Sequence, residues 1–208
     1  MRKDLAEIIF ILDRSGSMSG LEDDTIGGYN SFLKKQQKVE GEANVTTVLF
    51  DTEYEVLHDC VDLKKIKPIT DKEYFVRGGT ALLDAVGKSI TSVGQRINKT
   101  SEDKKPAKVI FVITTDGMEN SSREYDYKKI KEMITHQQKK YSWEFLFLGA
   151  NMDAVKEGAN FGISEDRAFN YKASPEGVNA MYRISNDAVL NCRRRVGEDV
   201  EEEIEEKE

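Results

Sequence analysis

Cysteine is scarce in this 208-residue chain: Cys60 and Cys192 are too few and too far apart for a disulfide scaffold or a zinc site. Both are read as buried, reduced thiols, which points to a cytoplasmic setting. Histidine is equally scarce. His58 and His136 stand apart, neither is placed to serve a Ser/His/Asp hydrolase, and both are read as structural or surface residues. No G-x-x-x-x-G-K-[ST] loop is present to cradle nucleotide phosphates. No apolar run approaches the roughly 20 residues that a membrane span needs. Arg2 and Lys3 are followed by Asp4 and Glu7, and then by an apolar stretch that stops at Asp13, so no secretory signal is expected.

An excess of base is missing too. The formal net charge is −7, and residues 198–208 account for all of it with eight acids against the single base Lys207. The remaining 197 residues are therefore neutral as a body, which argues against a broad nucleic-acid surface. The cluster Arg193-Arg194-Arg195 is read as compensation of a helix C-terminal dipole. The length suits one domain with a sizeable core, taken as residues 1–197, followed by an acidic tail, 198–208, expected to be disordered or a frayed helix. That tail is also a candidate for weak self-association, since it carries a surplus of carboxylates.

What is present is organised around Ile8-Ile9-Phe10-Ile11-Leu12-Asp13-Arg14-Ser15-Gly16-Ser17. Five apolar residues read as a strand buried on both faces, and the abrupt polar switch marks its C-terminal edge. Open α/β sheets place ligands at that edge. Asp13, Ser15 and Ser17 offer oxygen donors on one tight loop, with Gly16 permitting the bend, and oxygen-only donors suit a hard divalent cation.

The order of elements follows from periodicity. A helix is expected over about residues 20–38 with Ser19 as its cap, and Gly27-Gly28 within it suggests close approach to the sheet. Val45–Phe50 and Tyr54–Val61 are β-rich runs joined by only Asp51-Thr52-Glu53, which permits only an antiparallel pair. Asp62–Phe75 reads as a polar connector with room for one helical turn. Gly78-Gly79-Thr80 opens a periodic helix, and Lys108–Thr115 is a second buried strand ending at Asp116-Gly117. A helix over 125–141, a strand over 143–148, a short helix over 152–160 and a strand over 167–171 follow. Pro175 then starts a last helix from its first turn. The fold class is α/β: a three-layer, doubly wound, mostly parallel six-stranded sheet with one antiparallel edge strand and helices on both faces.

Asp13-Arg14-Ser15-Gly16-Ser17 resembles the D-x-S-x-S motif of von Willebrand factor A (vWA) domains, which forms part of their metal-ion-dependent adhesion site. Two later motifs strengthen the likeness: Gly78-Gly79-Thr80 before a helix, and Val109–Thr115 leading into Asp116-Gly117. The likeness runs over roughly residues 5–193 and implies a bacterial or phage-type stand-alone domain. It implies that Ser15, Ser17 and Thr80 touch a metal through their hydroxyls, while Asp13 and Asp116 act largely through waters and second-layer charge. The implied ion is Mg2+ or Mn2+, with Ca2+ less suited. Neutral hydroxyls leave the cation electrophilic, so a protein partner's Asp or Glu carboxylate can fill an open position. The implied activity is metal-dependent protein–protein interaction, not catalysis.

Other readings of these residues exist. Asp13 could be the nucleophile of a Mg2+-dependent phosphatase, although such enzymes want a second Asp where Ser15 stands, or the loops could persist in a metal-free vWA scaffold. Glu119 and Asn120 are read first as loop residues and second as the border of the metal face, and Asp84 as a loop brace. Met18 either packs beside the site or stands at its rim, and Arg14 and Arg77 are read as solvated rim charges.

Overall fold

In a computed structural model the backbone is described for residues 1–205 and the side chains for residues 1–194. The elements are β1 (Arg2–Asp13), α1 (Glu22–Gln36), β2 (Glu42–Phe50), β3 (Tyr54–Asp62), α2 (Leu82–Lys99), β4 (Pro106–Thr115), α3 (Tyr127–Tyr141), β5 (Glu144–Ala150), α4 (Ala154–Phe161), β6 (Ala168–Tyr171) and α5 (Pro175–Glu205). They build one six-stranded sheet in the order β3-β2-β1-β4-β5-β6. Every neighbouring pair is parallel except β2 and β3, so the antiparallel edge strand stands where it was expected. The chain winds outward from β1 to β2 on one side and resumes at β4 on the other. That reversal makes the C-terminal edge between β1 and β4 the natural crevice for a ligand.

Strict alternation along β1 divides its apolar run between two cores. Ile8, Phe10 and Leu12 face α1 and α5, where Tyr29, Phe32 and Tyr182 close around the Phe10 ring at centroid distances of 5.2–5.9 Å. Ile9 and Ile11 face the opposite layer of Leu82, Val86 and Ile90 from α2 and Ile130 and Ile134 from α3. Both faces are covered, which is why the strand could be near-continuously apolar. Glu7, also buried, is held by the Arg96 guanidinium of α2.

Several local expectations need correction. The connector between β3 and α2 contains only turns, and it is not simply polar: Leu63, Ile66, Ile69 and Tyr74 plug into the core. Ser19 does not cap α1; the helix starts after Leu21 without a side-chain cap. Gly28 makes room for the Tyr182 ring of α5, not for the sheet, since a Cβ there would lie 2.1 Å from that ring. Arg193 serves another helix than its own, donating to the Gln36 carbonyl at the end of α1 (2.9 Å) and to the Glu40 and Gly41 carbonyls (3.3 Å each). Cys192 is buried, but Cys60 is only half-buried, at a register shift of β3 with φ of 51°. The tail anticipated from residue 198 has its side chains outside the described residues.

Candidate metal centre

Three strand ends and one helix entry converge at this edge. At the end of β1 the backbone turns away but stays tied down. Arg14 donates its N–H to the Phe50 carbonyl (2.8 Å), and Gly16 donates to the Gly78 carbonyl (3.1 Å). The Arg77 N–H returns to the Arg14 carbonyl (2.9 Å), and the Tyr74 hydroxyl donates to the Asp13 carbonyl (2.7 Å). Gly16 matters here because a Cβ would come 3.3 Å from the Gly78 oxygen. Two loops far apart in sequence are thereby zipped together backbone to backbone.

The five side chains singled out in the sequence meet in one hydrogen-bonded cluster. Asp13 accepts the Ser15 N–H on Oδ1 (2.7 Å) and the Thr115 hydroxyl on Oδ2 (2.6 Å). Thr80 Oγ1 donates to Ser15 Oγ (3.0 Å), and Ser15 and Ser17 share a bond of 3.1 Å. Ser17 Oγ donates to Asp116 Oδ1 at 2.5 Å. Asp13, Ser15, Thr80 and Asp116 are all buried, whereas Ser17 is exposed and forms the open side.

The electrostatics of this cluster are incomplete. Burial pushes the Asp13 carboxyl up to about 6, against the opposing bonds from Thr115 and Ser15. Burial likewise raises Asp116, offset in part by Ser17. The second oxygen, Asp116 Oδ2, is buried and accepts no hydrogen bond among the described residues. An unpartnered acceptor in a buried carboxylate costs free energy, and such a group asks for a ligand. Gly117 supplies the space: a Cβ there would lie 2.9 Å from Ser17 Oγ and 3.0 Å from Thr80 Oγ1.

No group of three His, Cys, Asp or Glu is gathered for a metal among the described residues. The cluster instead offers two carboxylates and three hydroxyls. That oxygen-only set lacks soft donors and fits a hard cation. The residues present thus fit the ion that the sequence resemblance implies.

The residues around the cluster sort differently from the sequence reading. Arg14 is no rim charge: it is fully buried, with Nε on Asp51 Oδ2 (2.7 Å) and Nη1 on Glu55 (2.8 Å). Arg77, partly exposed, meets the same Asp51 oxygen at 2.8 Å, and the two guanidiniums lie 5.5 and 5.4 Å from the Phe75 ring centre. Sequence reading passed over Asp51 and Phe75; the only signal was an aspartate one residue past a buried strand. Glu119 and Asn120 are loop residues. Glu119 accepts the Leu83, Ser121 and Ser122 N–H groups, and Asn120 accepts that of Thr80. Asp84 braces the same loop by accepting the N–H groups of Arg123, Glu124 and Tyr125. Met18 is buried, whereas Met118, one residue past Gly117, is 69% exposed at the rim.

A doubly wound α/β domain with a buried carboxylate–hydroxyl cluster at its topological switch point is the class that these features define. Among solved structures that architecture is shared with von Willebrand factor A domains, and the chain has their fold. It is similar to proximal thread matrix protein 1 from the mussel byssus with a zinc-occupied metal-ion-dependent adhesion motif (15% identity, TM-score 0.59, covering 89% of this chain and 46% of that one). It is also similar to the pilus adhesin SpaC from Lactobacillus rhamnosus GG (13% identity, TM-score 0.65, 91% and 31%). A third likeness is to the vWF domain of the type V pili tip protein Mfa5 from Porphyromonas gingivalis (12% identity, TM-score 0.59, 88% and 94%). The chain spans less than half the length of the byssus and SpaC chains. No family model and no curated protein sequence matches it.

Proposed function

We propose that this domain is a divalent-cation-dependent protein-interaction module and not a catalyst. In this reading Ser15, Ser17 and Thr80 would touch Mg2+ or Mn2+ through their hydroxyls, Asp13 and Asp116 would act largely through waters and charge, and the partner would supply an Asp or Glu carboxylate. The observation that carries it is the buried, unpartnered Asp116 Oδ2 beside the Ser15–Ser17–Thr80 hydroxyls. The bound cation would supply one electrophilic position on the open side, and the protein's own residues set its selectivity. Ser15, Ser17 and Thr80 add no charge, and the two carboxylates, acting largely through waters, balance the cation from a distance and leave its open position electrophilic. The zinc-occupied motif of the byssus protein supports a metal at such a cluster, though the ion there is not the one expected here.

The phosphatase reading of Asp13 loses ground on geometry. Both of its oxygens are engaged and the side chain is buried, so no carboxylate oxygen is presented to a phosphoester. A partner approaching Ser17 would instead meet the exposed Met118 side chain. The cytoplasmic setting expected from the two thiols belongs to the same proposal. So does weak self-association through the acidic segment.

The test is direct. A peptide array carrying Asp or Glu beside matched Asn or Gln peptides is probed with the full chain in Mg2+ and in EDTA. Acid-specific binding that EDTA abolishes is expected. Binding that is indifferent to both the acid and the chelator would contradict the proposal.

A further inference from the structure

Resting on the metal reading of the site, we propose that Tyr74 and Tyr171, neither of them a ligand, make it select Mg2+ over Ca2+. They do so by fixing the two strand ends that carry Asp13 and Asp116. The pairing of β1 with β4 stops at Leu12 and Thr114. Asp13 lies one position beyond that last pair and Asp116 two, so the ladder between these strands no longer sets their separation directly. Side chains take over. Thr115 Oγ1 spans the gap to Asp13 Oδ2 (2.6 Å), and on each strand a tyrosine grips a backbone carbonyl. Tyr74 donates its hydroxyl to the Asp13 carbonyl (2.7 Å), and Tyr171 donates to the Thr115 carbonyl (3.2 Å).

The two tyrosines arrive from opposite sides of the sheet. Tyr74 belongs to the connector that follows β3, one edge strand, and Tyr171 is the last residue of β6, the other. Both rings are buried in the core under α1 and α5. Each strand end is therefore anchored to a packed ring that cannot shift without disturbing that core. The need to satisfy a buried hydroxyl does not by itself explain the pattern. The same core holds Tyr182, whose buried hydroxyl has no partner among the described residues, and Tyr29, whose hydroxyl meets the Thr47 side chain. Tyr74 and Tyr171 instead reach backbone, and both reach a strand that ends in a site aspartate.

Fixed oxygens matter unequally to different ions. Mg2+ demands near-ideal octahedral geometry at about 2.0–2.1 Å, whereas Ca2+ accepts a looser and larger oxygen set at about 2.3–2.6 Å. A slack pair of strand ends therefore costs Mg2+ more than Ca2+. Groups that orient metal ligands without touching the metal are commonly worth about ten- to a hundredfold in affinity. The tyrosine pair is such an orienting device, acting on the backbone of the aspartate loops.

Mg2+ and Ca2+ are titrated calorimetrically into the full chain and into Tyr74→Phe, Tyr171→Phe and Tyr29→Phe, well below melting, with metal-free melting measured beside. Each substitution keeps its ring and removes one buried hydroxyl. In Tyr74→Phe and Tyr171→Phe, Mg2+ affinity should fall at least tenfold and Ca2+ affinity less than threefold. Tyr29→Phe should lower the metal-free melting temperature and leave both affinities unchanged, because a loss of global stability alone does not alter the affinity of the folded state. Tyr171→Phe, on the edge strand, decides the matter if Tyr74→Phe fails to fold by circular dichroism. In a wild type that binds Mg2+, equal losses for the two ions, no loss for either, or the same shift in Tyr29→Phe would overturn this proposal and leave the metal reading standing. A wild type that binds Ca2+ as tightly as Mg2+ would do the same. A wild type that binds no divalent cation would overturn the metal reading and the selectivity together.

Discussion

Two aspartates end neighbouring parallel strands at the same edge, and they sit in opposite electrostatic settings. Asp51 follows β2 and is fully buried; burial pushes its carboxyl up, but Arg77, the Glu53 N–H and Arg14 outweigh this and hold it below the ordinary range. Asp13 ends β1 and is just as buried, yet no cation among the described residues pairs with it, and its carboxyl rises to about 6. Asp116, after β4, is raised in the same direction and keeps one oxygen unpartnered. The Asp51 cluster pairs its buried carboxylate with two guanidiniums and holds loops together, although the buried Arg14 Nη1 and Nη2 make no well-directed hydrogen bond among the described residues. The Asp13–Asp116 cluster is open, and a dication would close it. Burial is common to both; the partner charge is what separates them.

Removing the closed cluster should have the largest effect. Asp51→Ala would leave the buried Arg14 with Glu55 alone and take one of Arg77's partners, so a loss of about 3 kcal/mol or more is expected in urea unfolding. In the open cluster the sign should reverse. The rise of Asp13 from 3.8 to about 6 corresponds to about 3 kcal/mol of destabilisation of the metal-free fold at neutral pH. The folded carboxyl binds more protons than the unfolded one between these values, so this contribution to stability falls as pH rises through that window. Metal-free Asp13→Asn should therefore melt at or above the wild type at pH 7.5, with the difference vanishing below about pH 4. Thr115 can adapt, because its hydroxyl also lies 3.0 Å from the Gly117 carbonyl. By the same linkage, the rise in melting temperature caused by Mg2+ should be smaller at pH 5 than at pH 7.5.

Smaller changes sharpen the contrast. Gly117→Ala would place a methyl group between the Ser17 and Thr80 hydroxyls, so metal affinity should fall at least tenfold in calorimetry, with little change in metal-free melting. Phe75→Ala should cost only about 1 kcal/mol, through loss of its contacts with the two guanidiniums, and leave metal binding intact.

The open cluster was far more legible in the sequence than the closed one. Ile8–Leu12 followed by Asp13, Ser15 and Ser17 is a local pattern, because a strand buried on both faces must be apolar and must end in a polar loop. Val109–Thr115 before Asp116 repeats it, and the likeness to vWA motifs brought in Thr80. Arg14 could not be read this way. Its burial depends on Asp51 and Glu55, about forty positions downstream, and a charged residue in a Ser/Gly loop otherwise reads as solvated. The connector misled for a similar reason: Leu63, Ile66, Ile69 and Tyr74 are irregularly spaced, so no periodicity announced that they enter the core. Gly28 was legible as a close approach, but its partner, Tyr182, lies over 150 positions away.

On the proposed reading a divalent cation closes the open cluster. The most direct measurement is a calorimetric titration of the full chain with Mg2+ and Mn2+, beside Asp116→Ala and Ser15→Ala. One saturable site in the wild type, lost in both variants while their metal-free melting stays close to wild type, is expected. A wild type that shows neither binding heat nor a metal-dependent melting shift, or variants that bind as the wild type does, would contradict it.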